Sequence, residues 1–150
     1  MNLHQGLNKK NGFTIIELLL VIALVSALAA YSTPFYARFL TQNSVSLVRD
    51  QLTSHLRRAQ FNAMIGKNDG PWGVTYNTQK LVLFQGATYA TRNPALDESF
   101  LVNTSMSISG LGELIYAKIT GLPNTSATVT ISGVSSSKTV SVSSQGVVQQ

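Results

Sequence analysis

The chain has 150 residues, no cysteine, a formal charge of +5 and 44% apolar content. This length suits one domain of modest size, and the polarity excludes a multi-pass membrane protein. Without cysteine there is no disulfide, no thiolate metal site and no cysteine nucleophile. The apolar residues crowd near the N-terminus, whereas the last third is rich in Ser and Thr. The two parts therefore need separate explanations.

Residues 13–30 form an apolar segment in which Glu17 is the only ionisable residue. Eighteen helical residues extend about 27 Å, which is the length of a membrane-spanning helix. Lys9 and Lys10 precede the segment, and the positive-inside rule then keeps the N-terminus in the cytoplasm and sends the remainder across. A removed secretory signal peptide is the alternative, but its apolar region is shorter, and Leu28-Ala29-Ala30 is a weak cleavage site.

The acidic residue of this segment needs a compensating partner, because a carboxylate in a membrane span costs about 2.5 to 3.5 kcal/mol on insertion scales. The sequence Gly12-Phe13-Thr14-Ile15-Ile16-Glu17, followed by LLLVIALVSALAA, resembles the class III signal of type IV pilins and pseudopilins. The resemblance implies that a prepilin peptidase cuts between Gly12 and Phe13 and methylates the amine of Phe13. It also implies that Glu17 meets the terminal amine of a neighbouring subunit during assembly.

The helix is expected to continue beyond the apolar segment. Pro34 stands where the family commonly has a proline, and it should kink the helix because it removes a backbone donor and crowds the preceding turn. Apolar residues then recur every three or four positions, which predicts an amphipathic helix that ends near Gly66. These residues are Val45, Val48, Leu52, Leu56, Ala59 and Ala63.

After Gly66 the apolar period changes to two, and glycine and proline separate short segments, which is typical of antiparallel strands. The candidate strands are residues 74–76, 80–84, 87–91, 100–107, 114–120, 127–132, 138–143 and 147–149. The first two flank Asn77-Thr78-Gln79 and predict a hairpin.

We therefore predict an α+β fold of pilin-like architecture. In it a long N-terminal helix, transmembrane in its first half and amphipathic in its second, packs on an antiparallel β-sheet head. The predicted parts are a removed leader (residues 1–12), a transmembrane and assembly helix (13–41) and a globular head (42–150).

The head resembles one branch of the pilin superfamily. The order LRRAQFNAM, then Trp72 in a strand, then KLVLFQG, then a small hairpin ending in Gln145-Gly146-Val147-Val148 is similar to the GspH/FimT group of minor pilins and pseudopilins. The resemblance implies a structural subunit of a type IV pilus or a type II secretion pseudopilus. It also implies a single-pass inner-membrane protein with a periplasmic head before assembly. The implied partners are other pilin subunits, the prepilin peptidase and an inner-membrane assembly platform.

No residue pattern predicts catalysis, a metal site or a cofactor. His55 has no second ligand at metal spacing, and His4 lies in the leader. Asp97 and Glu98 are adjacent in a proline-containing loop, which is typical of solvated loop carboxylates. No nucleophile motif or phosphate-binding glycine loop is present in the sequence. The chain is therefore predicted not to be an enzyme.

A DNA-binding minor pilin that acts in natural transformation is the alternative function. After Thr41 there are eight Lys or Arg and five Asp or Glu, and such a surface attracts phosphates. Some FimT-like relatives bind DNA through a Gly-Arg-x-Arg motif near the C-terminus. Residues 145–150 here read QGVVQQ, without arginine. No DNA contact is therefore assigned. The basic residues are expected to form a solvated surface, with Arg57 and Arg58 packing against the head.

Overall fold

The computed structural model describes residues 12–134 and 136–150, except for the side chains of residues 32–42. The chain divides into two units, Met1–Ala37 and Arg38–Gln150. A 50-residue helix, α1 (Ile15–Met64), has residues in both units. The side chain of Pro34, the predicted kink, lies outside the described residues.

The second half of α1 is amphipathic, as the sequence predicts. All six residues of the predicted apolar face are at most 1% exposed: Val45, Val48, Leu52, Leu56, Ala59 and Ala63. Their spacing of three and four residues places them on one side of a 3.6-residue helix, where together they meet the sheets. The predicted buried face is confirmed.

The helix ends two residues before the predicted glycine. Gly66 adopts φ +64°, a left-handed conformation that glycine reaches without the steric cost of a side chain, and its N–H donates to Ala63 O at 3.0 Å. A short 3₁₀ turn, Lys67–Asp69, follows. Trp72 closes this turn, because its indole Nε1–H donates to Lys67 O at 2.9 Å. The ammonium of Lys67 lies 5.3 Å from the centroid of the same indole ring.

In the part of the head that the structure describes, eight strands follow the 3₁₀ turn. They are β1 (Trp72–Asn77), β2 (Lys80–Gln85), β3 (Glu98–Leu101), β4 (Ser107–Ser109), β5 (Leu114–Tyr116), β6 (Ala127–Ser132), β7 (Ser137–Val142) and β8 (Val148–Gln149). They pair into two four-stranded sheets, with the orders β3-β2-β1-β5 and β4-β6-β7-β8. Every pairing between strands is antiparallel. The α+β prediction is confirmed, with two sheets in the head.

The predicted hairpin is present, and its turn is tighter than expected. Asn77 pairs with Lys80, so Thr78 and Gln79 alone form the loop, with φ +47° and +62°. Two positive φ angles match the twist of a two-residue hairpin, although glycine usually supplies them. The Tyr76 hydroxyl donates to Gln79 Oε1 at 3.0 Å, and Thr78 Oγ1 donates to Asn77 Oδ1 at 2.8 Å. Side chains thus hold this turn without glycine.

Three strand predictions differ from the structure. Residues 87–91 do not form a strand. The guanidinium of Arg92 donates hydrogen bonds to Asp97 Oδ2 at 2.7 Å and to Tyr89 O at 2.8 Å. The same guanidinium stacks on the Tyr89 ring, 3.7 Å from the ring centroid. These contacts fold the segment into a compact loop. Residues 100–107 split between β3 and β4, which belong to different sheets. The strand expected at residues 114–120 stops at Tyr116, because the chain turns back toward the end of α1.

The core of the head combines α1 with both sheets. The largest fully buried side chains include Trp72 and Tyr116, which are cross-strand partners of β1 and β5. Val129, Ile131, Val140 and Val142 contribute from the second sheet. Burying α1 against two sheets removes a large apolar area from water, which is the main favourable term for this fold.

Candidate functional site

The predicted cleavage junction lies ahead of the helix. Residues 12–14 are not helical, and α1 begins at Ile15. A Cβ added to Gly12 would meet no heavy atom within 4 Å apart from its chain neighbours, and Phe13 is 85% exposed. A peptidase could therefore reach the Gly12–Phe13 bond without unwinding α1.

Thr14 and Glu17 begin the helix together. The backbone N–H of Glu17 donates to Thr14 Oγ1 at 3.3 Å, and Leu18 N donates to Thr14 O at 3.1 Å. This is an N-cap. The carboxylate of Glu17, at the third helical position, also interacts favourably with the positive end of the helix dipole. This role was not predicted above, although a Thr followed three residues later by Glu before an apolar run is a known signature of a helix start.

The first part of α1 exposes apolar side chains on every side. Residues 12–31 are all exposed, and the large apolar ones range from Val21 at 49% to Phe13 at 85%. A helix that is apolar all round needs lipid or other helices around it. In the part of the chain that the structure describes, no helix is both long and apolar enough to cross a membrane. The transmembrane character of residues 13–30 stays a prediction.

Glu17 lies among these apolar residues and makes no ion pair with any residue that the structure describes. An ionised carboxylate accepts hydrogen bonds from a cation such as a terminal amine. Its pairing with a neighbouring subunit stays a prediction.

Among the described residues, four ion pairs order the surface of the head. They join Arg49 to Asp50, Arg58 to Glu98, Arg92 to Asp97 and Lys118 to Asp69, with N–O distances of 2.5 to 2.8 Å. The hydrogen bond and the charge of Lys118 hold the pKa of Asp69 below its usual value. In the third pair, the hydrogen bond with the Asp97 carboxylate raises the pKa of Arg92, so the guanidinium of Arg92 stays charged.

The expected contact with the head is present for Arg58, whose Nη2 binds Glu98 Oε1 of β3 at 2.6 Å, and no ion pair of this kind is made by Arg57 among the described residues. Both side chains are exposed. On a helix the residues that follow Leu56 by one and two positions point away from the buried face, because each residue turns the direction by about 100°.

Two buried polar side chains have unusual surroundings. His55 is 6% exposed, and its Nδ1 has no hydrogen-bond partner among the described atoms. Burial holds the pKa of His55 below its usual value; the Glu98 carboxylate opposes this shift, and Arg58 adds to it. Burial also raises the pKa of the Tyr116 hydroxyl to about 12. Both groups are therefore neutral at pH 7.

The C-terminal glycine stretch is a turn that leads into β8. Gly146 adopts φ +81°, and a Cβ there would collide with the Gln60 side chain and stand 3.2 Å from Gly121 O. Gly146 N donates to Ser143 O at 2.9 Å, which closes the turn. The positive φ explains the glycine, and the nearby carbonyl oxygen of Gly121 leaves little room for a Cβ. Across the described residues, no three His, Asp or Glu side chains are close enough to hold a metal ion.

Comparisons with known proteins point to one superfamily. Residues 7–32 match the family model of the prokaryotic N-terminal methylation motif. The chain is also similar to the type IV major fimbrial protein FimA of Dichelobacter nodosus, with 29% identity over 89 residues. That alignment covers 59% of this chain and 56% of FimA, so the chain spans about half the length of the curated relative.

No solved structure matches the chain with significance. The matched motif includes the Gly12–Phe13 junction and Glu17, and the fold places a long N-terminal helix ahead of antiparallel sheets. The methylation motif and the similarity to a fimbrial protein, together with this α+β arrangement, support the assignment of the chain to the type IV pilin superfamily.

Proposed function

We propose that the chain is a non-enzymatic structural subunit of a type IV pilus or of a type II secretion pseudopilus, within the GspH/FimT-like minor pilins and pseudopilins. The observation that carries the proposal is the methylation motif at residues 7–32, which contains Gly12, Phe13 and Glu17. The similarity to a fimbrial protein supports the same class. The GspH/FimT assignment rests on the order of the helix, Trp72, β2 and the closing hairpin.

In this proposal a prepilin peptidase removes residues 1–12 and methylates Phe13. The exposed, non-helical junction supports this step, because a protease needs an accessible extended peptide. The prepilin signal implies a membrane-associated pilus subunit. Before assembly, residues 13–30 lie in the inner membrane with the N-terminus in the cytoplasm and the head in the periplasm.

Assembly then transfers the apolar helix from lipid to a bundle of other subunits. An inner-membrane platform performs the transfer, and the other pilin subunits are the partners that cover the exposed side chains of residues 13–31. Glu17 pairs with the terminal amine of a neighbouring Phe13. This pairing compensates the cost of a carboxylate in apolar surroundings, because an ion pair there is favourable only with a close partner.

Mass spectrometry of the chain co-expressed with a prepilin peptidase tests the proposal. We expect loss of residues 1–12 and the addition of one methyl group to Phe13. Gly12→Val should block the cut, because a bulky side chain beside the scissile bond hinders the peptidase. Gly112→Val is the matched control, since a Cβ at Gly112 also meets no heavy atom within 4 Å. An intact leader in the parent, or cleavage near Ala30, would contradict the proposal.

A further inference from the structure

An open cleft of about 450 Å³ follows the outward side of α1 in the head. Six residues of α1 and the C-terminal Gln150 line it. Gln150 Nε2 donates to Thr53 Oγ1 at 3.0 Å, which holds Gln150 against the helix. Along this cleft an acidic group, two guanidinium groups and an aromatic ring follow one another in the order of the helix sequence.

Asp50 provides an acidic group at one end of the cleft. Its Oδ1 accepts from Arg49 Nε at 3.0 Å and from Arg49 Nη2 at 2.8 Å, whereas its Oδ2 has no partner among the described residues. The side chain is 57% exposed. One carboxylate oxygen therefore remains free to accept a hydrogen bond from a cation.

Two guanidinium groups follow along the helix. Arg57 makes no ion pair with the described residues. Arg58 uses Nη2 to bind Glu98 Oε1 at 2.6 Å and is 49% exposed. Arg57 is therefore free to bind a carboxylate in the two-bond geometry that a planar guanidinium favours.

Phe61 completes the series with a ring that is 57% exposed. The rise of an α-helix places Asp50 about 10.5 Å from Arg57 along the axis, and Arg57 about 6 Å from Phe61. An extended peptide rises about 3.3 Å per residue, so these intervals correspond to about three and two of its residues.

We propose that this cleft binds an extended segment of a partner protein in which a basic, an acidic and an apolar side chain succeed one another at intervals of three and two residues. The basic residue would bind Asp50, the acidic residue Arg57, and the apolar residue the ring of Phe61. A nucleic acid fits less well, because Arg49 and Arg58 are already paired with Asp50 and Glu98, which leaves Arg57 as the one arginine at this cleft that has no ion pair among the described residues and could bind a phosphate. The proposal does not depend on the filament assignment.

Fluorescence anisotropy on the full chain in an uncharged detergent tests this proposal. The probes are the labelled peptide Lys-Ala-Ala-Glu-Ala-Leu, the same residues in reverse order, and the charge-exchanged form of each, in which Lys and Glu trade places. We expect one of the first two to bind at least tenfold more tightly than its own charge-exchanged form. The double variant Asp50→Lys with Arg57→Glu should invert this preference, whereas Lys80→Glu, an exposed charge reversal on β2, should leave it unchanged.

Phe61→Ala gives a second measurement that does not alter charge. It should weaken binding of the matching peptide to the level of a peptide that ends in Ala, and the unfolding midpoint should remain that of the parent. If the double variant does not fold, the single variant Arg57→Gln tests the proposal in its place. It should remove the preference for the peptide with the matching charge order. Equal affinity for all peptides, no binding at millimolar peptide, or tighter binding of a single-stranded oligonucleotide that needs Arg57 would each overturn the proposal.

Discussion

The backbone N–H of Ile119 donates a 2.8 Å hydrogen bond to the carbonyl oxygen of Ala63 in the last turn of α1. The same carbonyl accepts from Gly66 N at 3.0 Å, so the loop after β5 is bonded directly to the end of the helix. Ile119 has φ +73°, in the left-handed region that a β-branched residue rarely adopts. The backbone is thus held in an unfavourable conformation where it caps the helix.

Replacing this isoleucine should stabilise the head. Ile119→Asn keeps the backbone N–H and places a residue that tolerates positive φ, so we expect the free energy of unfolding to rise by about 0.5 to 1 kcal/mol. The Ile119 side chain is 71% exposed, so little apolar burial is lost. Urea unfolding in detergent measures the change. Leu122→Asn, in the same loop, is the control and should give no stabilisation. Lower stability of Ile119→Asn would show that the side chain contributes more than the strain costs.

The buried face of α1 predicts that the same substitution at two leucines of this helix changes the free energy of unfolding by very different amounts. Leu52 is fully buried, whereas Leu47 is 53% exposed. Leu52→Asp should lower the free energy of unfolding by several kcal/mol, because it places an unpaired charge in the core. Leu47→Asp should change it by less than about 0.5 kcal/mol. Circular dichroism during urea unfolding separates the two. Similar losses for both would contradict the packing of this face.

His55 predicts that stability falls on mild acidification. Its folded-state pKa lies below the ordinary value of 6.5, so as the pH drops below 6.5 the unfolded chain binds a proton that the folded head does not. The free energy of unfolding should then decrease by at most about 1.4 kcal/mol per pH unit, until the lower folded-state pKa is reached. Above pH 6.5 this contribution is constant.

His55→Gln isolates the effect, because the only other histidine is in the predicted leader. Unfolding free energies of the processed chain between pH 8 and pH 5 should lose most of their slope in the variant. The carboxylates titrate mainly below this window. An equal slope in parent and variant would assign the acid sensitivity to another group.

Glu17 predicts that membrane insertion and filament assembly can be separated. Glu17→Leu makes the apolar segment more apolar, so insertion and processing should be at least as efficient as in the parent. Recruitment into filaments should fall, because the neighbouring amine loses its carboxylate partner. Fractionation compares processed protein in membranes with protein in sheared filaments.

Thr14→Ala is the matched control for the variant Glu17→Leu. It removes the Oγ1 that caps the helix, at a cost of about 1 kcal/mol, but it keeps the carboxylate. Normal recruitment of Thr14→Ala beside failed recruitment of Glu17→Leu would assign the defect to the charge. Equal recruitment of Glu17→Leu and the parent would show that the carboxylate has no role in assembly.

The long helix and its buried face follow directly from local sequence. Periodicity identified Val45 to Ala63 because a helix repeats its faces every 3.6 residues, and no information from distant residues is needed. The hairpin β1–β2 and strand β6 follow from period-two alternation between turn residues. The match of residues 7–32 to the methylation motif also follows from local sequence, because that motif is short and contiguous; the Gly12–Phe13 cut and the role of Glu17 stay predictions.

The tertiary structure alone decided which segments between these elements become strands. Residues 87–91 have a strand-like pattern, yet the bonds of Arg92 to Tyr89 and Asp97 fold them into a loop. The bond from Ile119 to Ala63 joins residues far apart in the chain and helps to end β5 early. The charge order along the cleft likewise needed the positions of Asp50, Arg57 and Gln150 in space. Local propensity determines elements whose contacts are near in sequence, whereas strand ends and surface sites depend on contacts between distant residues, which a linear pattern does not contain.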